Sequence, residues 1–253
     1  MAYLTGKTAL VTGASRGIGR AIAQRLAADG ALVAVHYGSN DAAARETVLA
    51  IEQAGGQAFA VRAELGRPGD VDTLFAGLTV GLGERPLDIL VNNAAIGAPI
   101  PVEKTTPELF ERVFAVNVQA PFFIIQRALP LLRDGGRIIN ISSSATRIAM
   151  PEIAYAMTKG AVDVLGRSLA NTVGDRGITV NTVAPGVTET DMNAWLRDLP
   201  EAKAGIAGAT ALGRVGQPED IADVVAFLAS DQARWVTGHL LEATGGIFLG
   251  PRM

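Results

Sequence analysis

The chain has 253 residues, 49% of them hydrophobic and 19% charged, with a net charge of -3 and no cysteine. That is ample material for a large core, and it excludes disulfides, thiolate metal sites and a cysteine nucleophile. An acidic balance without any Lys/Arg run argues against nucleic acid or an anionic membrane surface as a partner.

Short β-type runs alternate with helical stretches along the chain. The runs are Thr8–Thr12, Leu32–Tyr37, Ala58–Arg62, Ile89–Asn92, Arg137–Ser142 and Thr179–Val183, with a seventh around His239–Glu242. Between them, Gly17–Asp29, Asp41–Ala54 and Ala154–Gly174 repeat apolar residues at steps of three and four. Gly30, Gly55 and Gly177 follow these stretches, as helix-ending glycines do. The alternation predicts parallel βαβ units in a doubly wound sheet buried on both faces. No linker or repeat divides residues 1–253, which read as a single domain. The segment Thr188–Gly216 has no clear strand, so it is expected to be a substrate-binding loop. Its Met192, Trp195, Leu196 and Leu199 either wall an apolar pocket or pack inward. No apolar run reaches the ~18 residues of a membrane span. Met1–Thr12 lacks a cleavable apolar stretch, and His36 and His239 have no metal-ligand spacing. A cytoplasmic protein without a metal is expected.

The first strand ends in Thr12-Gly13-Ala14-Ser15-Arg16-Gly17-Ile18-Gly19, and a helix follows. Glycines there permit a tight turn and a close approach to a diphosphate, which the N–H groups of the helix start then meet. The spacing departs from G-x-G-x-x-G, with three residues between the first two glycines and one before the third. Strand two ends in Val35-His36-Tyr37-Gly38-Ser39-Asn40, without the carboxylate that binds a ribose 2′-hydroxyl. Arg16 can reach the same ribose and suits a 2′-phosphate, with His36, Ser39 and Asn40 as further donors. These two observations favour NADP(H) over NAD(H). Tyr155 and Lys159 are four apart on a predicted helix and so share a face. An ammonium within ~4–6 Å favours the phenolate and brings a phenol into the range of a general acid or base. Ser142, Ser143 and Ser144 follow the strand, where a hydroxyl can hold a substrate carbonyl.

The order of these pieces resembles the short-chain dehydrogenase/reductases over essentially the whole chain. Thr12–Gly19 matches the family's nucleotide loop, Asn92-Asn93-Ala94-Ala95 its Asn-Asn-Ala-Gly motif with Ala95 for glycine, and Tyr155–Lys159 its Tyr-x-x-x-Lys signature. The 3-oxoacyl-(acyl carrier protein) reductases are the most similar subgroup. The resemblance implies a single-domain Rossmann-type α/β fold, a doubly wound parallel sheet of about seven strands with helices on both faces. It implies a catalytic set of Asn117, Ser143, Tyr155 and Lys159, with Asn117 inside a helix and holding a water that links the lysine to solvent. It implies cofactor contacts from Gly13, Ser15, Arg16, Gly17, Ile18, Gly19, His36, Ser39, Glu64, Leu65, Asn93, Ala94, Tyr155, Lys159, Pro185, Gly186, Thr188 and Thr190. Glu64 stands where relatives place an Asp against adenine. Two alignments compete for the serine, since counting back from Tyr155 gives Ser142 whereas the strand Ile138–Ile141 gives Ser143. Side chains alternate along a strand and loops absorb deletions, so Ser143 is assigned. The expected reaction is NADPH-dependent reduction of a 3-oxoacyl or polyketide-like ketone, free or carrier-bound, by a homotetramer paired through helices near Thr105–Leu132 and Ala154–Gly174 and through the C-terminal segment. The alternatives are an alcohol dehydrogenase run oxidatively and a silent cofactor-binding regulator.

Overall fold

The computed structural model describes residues 3–247 and 249. Seven parallel strands form one sheet in the order β3-β2-β1-β4-β5-β6-β7. They are β1 (Thr8–Val11), β2 (Leu32–Tyr37), β3 (Gln57–Arg62), β4 (Leu87–Asn92), β5 (Leu132–Ile141), β6 (Thr179–Pro185) and β7 (Leu240–Ala243). Successive side chains of a strand point to opposite faces, and here both faces are covered. In β1, Ala9 and Val11 join one buried cluster and Leu10 the other. The first cluster draws on α1 (Gly17–Ala28), α2 (Asp41–Gln53) and α9 (Pro218–Ala229). The second draws on α3 (Asp70–Leu82), α5 (Ala120–Ala128) and α6 (Ile153–Val173). This is why the strands read as continuous apolar runs.

The chain runs outward from β1 to β3 and then returns to place β4 beside β1. The carboxyl ends of these two strands therefore mark the switch point of the sheet, where the ligand crevice lies in folds of this kind.

Three expectations change. The helix expected near Thr105–Leu132 is α4 (Pro107–Phe114), a π turn at Ala115–Gln119 and α5, so Asn117 lies in the π turn. Strand β5 begins five residues earlier than its apolar run, because Leu132 pairs with Leu87 before a register shift. The segment Thr188–Gly216 is closed at its base by a Thr188–Gly216 bridge and carries two short helices, α7 (Trp195–Asp198) and α8 (Pro200–Ala209). Within it Leu196 is buried, while Met192, Trp195 and Leu199 are exposed. Of the apolar C-terminal run, Ile247 is buried and Leu249 exposed, and Phe248, Gly250 and Pro251 lie outside the described residues. Among the described residues no helix is long and apolar enough to cross a membrane, and no cluster could hold a metal ion.

Candidate active site

The turn after β1 is held from three sides. Asn93, just past β4, donates its side-chain N–H to the carbonyls of Thr12 (2.8 Å) and Gly13 (3.2 Å). The Thr12 hydroxyl accepts the N–H groups of Asn93 (2.9 Å) and Ala94 (3.0 Å). Packing is close enough that a Cβ on Gly13, which has φ +64°, would come within 2.9 Å of Ala94 Cα. A Cβ on Gly19 would overlap the Gly13 carbonyl. The third support is His36. Its Nδ1 accepts the Gly13 N–H (3.0 Å) and its Nε2 lies 2.9 Å from the Ala63 carbonyl. Both ring nitrogens are therefore committed inside the protein, which corrects the expectation of a donor to the cofactor phosphate. Burial pushes its pKa down to about 4.

Other expected cofactor residues fall around the same crevice. Ser15 gives its carbonyl to Arg20 Nε (3.1 Å), and Ile18 packs on the core below the turn. Arg16 and Ser39 are exposed, and Asn40 caps α2 by accepting the Ala43 N–H at 3.0 Å. Glu64 is drawn to Arg67 (3.0 Å) and Arg112 (3.6 Å), pairs that hold its carboxyl below the usual range. On the opposite side, Pro185 ends β6, and Gly186 lets the Thr244 backbone approach to 3.0 Å of a Cβ position. Thr188 is buried and donates its hydroxyl to the Gly186 carbonyl (3.0 Å), while the Thr190 methyl lies over Gly17. The narrow glycine turn, the free arginine and the overlying threonines fit a dinucleotide lying across the β1–β4 switch point.

Tyr155 and Lys159 occupy successive turns of α6. Lys159 is 3% exposed, donates to the Ile141 carbonyl (2.8 Å), and sits 5.7 Å from the Tyr155 ring centroid. Burial lowers its pKa to about 8, and the carboxylate of Asp163, one turn further along, draws it back up. Burial raises the pKa of Tyr155, and a hydrogen bond with the Ser143 side chain opposes that rise. Ser142 points elsewhere: it is 3% exposed and its hydroxyl reaches the Lys159 carbonyl at 3.4 Å. The structure thus brings together Ser143, Tyr155 and Lys159.

Asn117 stands one layer deeper. Its amide is fully engaged, accepting the Ile96 N–H (2.9 Å) and donating to the Ile96 carbonyl (3.0 Å) and the Thr158 hydroxyl (3.1 Å). Four residues on, Pro121 has no N–H to return to the Asn117 carbonyl, as an ordinary helical residue would. Asn117, Pro121, Lys159, Leu65 and Ala94 all line one cavity of about 10 Å³, room for a single water. Three contributors escaped the sequence reading: Asp163, Pro121 and the clamping role of His36. The first two were detectable by their spacing, each four residues beyond a site residue. The third depends on partners distant in sequence.

Comparison with known proteins places this arrangement. The family model described as enoyl-(acyl carrier protein) reductase matches residues 13–247. The reductase LugOII, described as catalysing keto-reduction at C1 in lugdunomycin biosynthesis, is 55% identical, with a TM-score of 0.94 and coverage of 98% of this chain and 100% of that one. The angucycline C-6 ketoreductase LanV, solved with bound NADP, is 55% identical with a TM-score of 0.93 and 98% coverage of both chains. The 3beta-hydroxysteroid dehydrogenase 1 of Eggerthella lenta is 43% identical over 252 residues, 98% of this chain and 96% of that protein. The chain belongs to the short-chain dehydrogenase/reductase family. It is an NAD(P)-dependent oxidoreductase.

Proposed function

We propose that the protein uses NADPH to reduce a ketone carried on a fused-ring, polyketide-like molecule. The observation that carries this reading is the pairing of Ser143 with the Tyr155 phenol directly above the buried Lys159. A substrate carbonyl oxygen fits between the two hydroxyls, each donating one hydrogen bond. Both bonds strengthen as negative charge grows on that oxygen. NADPH supplies the hydride to the carbonyl carbon. Tyr155 gives its phenolic proton to the oxygen, so the alcohol leaves neutral. Its raised pKa keeps the proton in place until then. The Lys159 ammonium steadies the phenolate that remains, and the water-sized cavity that Lys159 and Asn117 both line is the route by which the proton is replaced.

The ring-system substrate rests on two supports. LanV has been solved with NADP and rabelomycin bound, at 53% identity. Met192, Trp195 and Leu199 leave an exposed apolar edge on the segment that follows β6. NADPH over NADH rests on Arg16 and on the absence of a carboxylate at the end of β2. A second reading, oxidation of a hydroxyl on a fused ring, is favoured by the likeness to the hydroxysteroid dehydrogenase, and the same residues run that reaction in reverse. Initial rates by nicotinamide absorbance decide the matter. The panel holds polycyclic aromatic ketones, short 3-oxoacyl thioesters and, with NADP+, hydroxysteroids. Turnover confined to the thioesters would overturn the substrate class, and turnover of steroid alcohols alone would select the second reading.

A further inference from the structure

We infer that His36 is a positioning residue that holds the nucleotide turn in its binding shape, and does so only as the neutral imidazole protonated on Nε2. The tautomer follows from the partners. Gly13 N–H is a donor, so Nδ1 must accept, and the remaining proton on Nε2 is aimed at the Ala63 carbonyl. The residue grips the turn a second time through its own carbonyl, which accepts the Ala14 N–H at 2.8 Å. It thereby ties the ends of β1, β2 and β3 at one point, with the nucleotide turn on one side and the Ala63–Leu65 segment on the other. The Gly13 peptide is fixed at both ends, by His36 at its N–H and by Asn93 at its carbonyl side. The ring is 2% exposed and cannot trade either bond for water.

A second proton on the ring would set an N–H against the Gly13 N–H across a 3.0 Å gap. That repulsion falls on the turn, since the Ala63 side keeps its bond. Among the described residues the charge felt by the ring is that of Asp70 at the start of α3, whose carboxylate accepts the N–H groups of Gly66 (2.6 Å) and Val71 (2.7 Å). Its hydrogen-bond partners just past β1 and β3, Gly13 and Ala63, are backbone groups. Burial outweighs the pull of Asp70 and keeps the imidazole neutral down to about pH 4.

The control is therefore exerted on cofactor affinity and leaves the hydride step alone. Its test measures the Kd of NADPH and of NADH by nicotinamide fluorescence, with kcat at saturating cofactor, for the wild type, His36→Leu and His36→Asn. Asparagine keeps an acceptor for the Gly13 N–H, and it does not titrate. His36→Leu is expected to weaken both cofactors about tenfold, the worth of one buried hydrogen bond and its orphaned donor, with kcat within about twofold. His36→Asn should restore most of that affinity. In the wild type, NADH affinity should fall as the pH approaches about 4, and His36→Asn should lack this fall. NADH is the probe for that arm because it has no 2′-phosphate to titrate. An unchanged Kd in folded His36→Leu, or an acid fall that persists in His36→Asn, would overturn the inference. If His36→Leu does not fold, the acid profile of His36→Asn against wild type decides alone.

Discussion

Removing one hydroxyl at a time from Ser142 and Ser143 separates two neighbours that the structure gives different work. Ser143 shares a hydrogen bond with the Tyr155 phenol, so its hydroxyl lies where a substrate oxygen would gain charge. Losing a positioned donor of that kind costs about 10²–10³-fold in kcat, or roughly 3 kcal/mol. Ser142 makes only a 3.4 Å contact with the Lys159 carbonyl, long for an O–H donor. Its removal should cost about 0.5–1 kcal/mol of stability and leave kcat within about threefold. The two variants also differ in pH behaviour. The Ser143 bond favours the phenolate, so Ser143→Ala raises the Tyr155 pKa further. In the oxidative direction the phenolate is the active form, and the rise of rate with pH should move to higher pH. In reduction the phenol is the active form, and its activity should persist to higher pH. Steady-state rates in both directions across pH, with Tyr155→Phe as the more severe control, provide the assay. A crippled Ser142→Ala beside an active Ser143→Ala would refute the reasoning.

Three further outcomes are expected. Asp163→Asn removes the charge that draws the Lys159 pKa upward, so that value should fall further below about 8. The alkaline limb of kcat/KM should then move to lower pH, and an unmoved limb would count against Asp163. Arg16 is exposed at the nucleotide turn, and Arg16→Ala should raise the KM for NADPH about tenfold while leaving that for NADH unchanged, as loss of a phosphate partner requires. Equal effects on the two cofactors would remove the 2′-phosphate assignment. Phe110, Phe122, Phe123, Met157 and Val164 expose apolar surface on α4, α5 and α6, and light scattering at micromolar concentration should return a homotetramer, whereas a monomer mass would show this face to be unpaired.

Much of the sheet was legible because its strands are short, apolar and covered on both faces. The exception is the start of β5. Arg133, Asp134, Gly135 and Gly136 have the composition of a turn, and they fall in the register shift between the Leu87–Leu132 and Ile89–Arg137 pairs. Tyr155, Lys159 and the glycine turn were legible for a related reason, since their geometry is set within a few residues of chain. The clamping role of His36 was not legible because its partners are not local. The His36 ring is claimed by Gly13 and Ala63, which lie 23 and 27 residues away. Of the two partners of Glu64, Arg67 is local at three residues' distance and Arg112 is brought alongside by the packing of α4. The helices in Thr188–Gly216 escaped because α8 is nearly devoid of apolar periodicity and buries no residue.

The proline in α5 carries a cost that a stability screen would notice first. Pro121 stands in the first turn of α5, directly after the π turn, and would rank as a site for improvement, since alanine is the better helix former. The replacement would also add a backbone N–H to the wall of the water-sized cavity that Asn117 and Lys159 line. A library selected for heat resistance should therefore enrich Pro121→Ala, while the same library selected for turnover should discard it. Firmness and throughput compete here at one residue of the cavity wall.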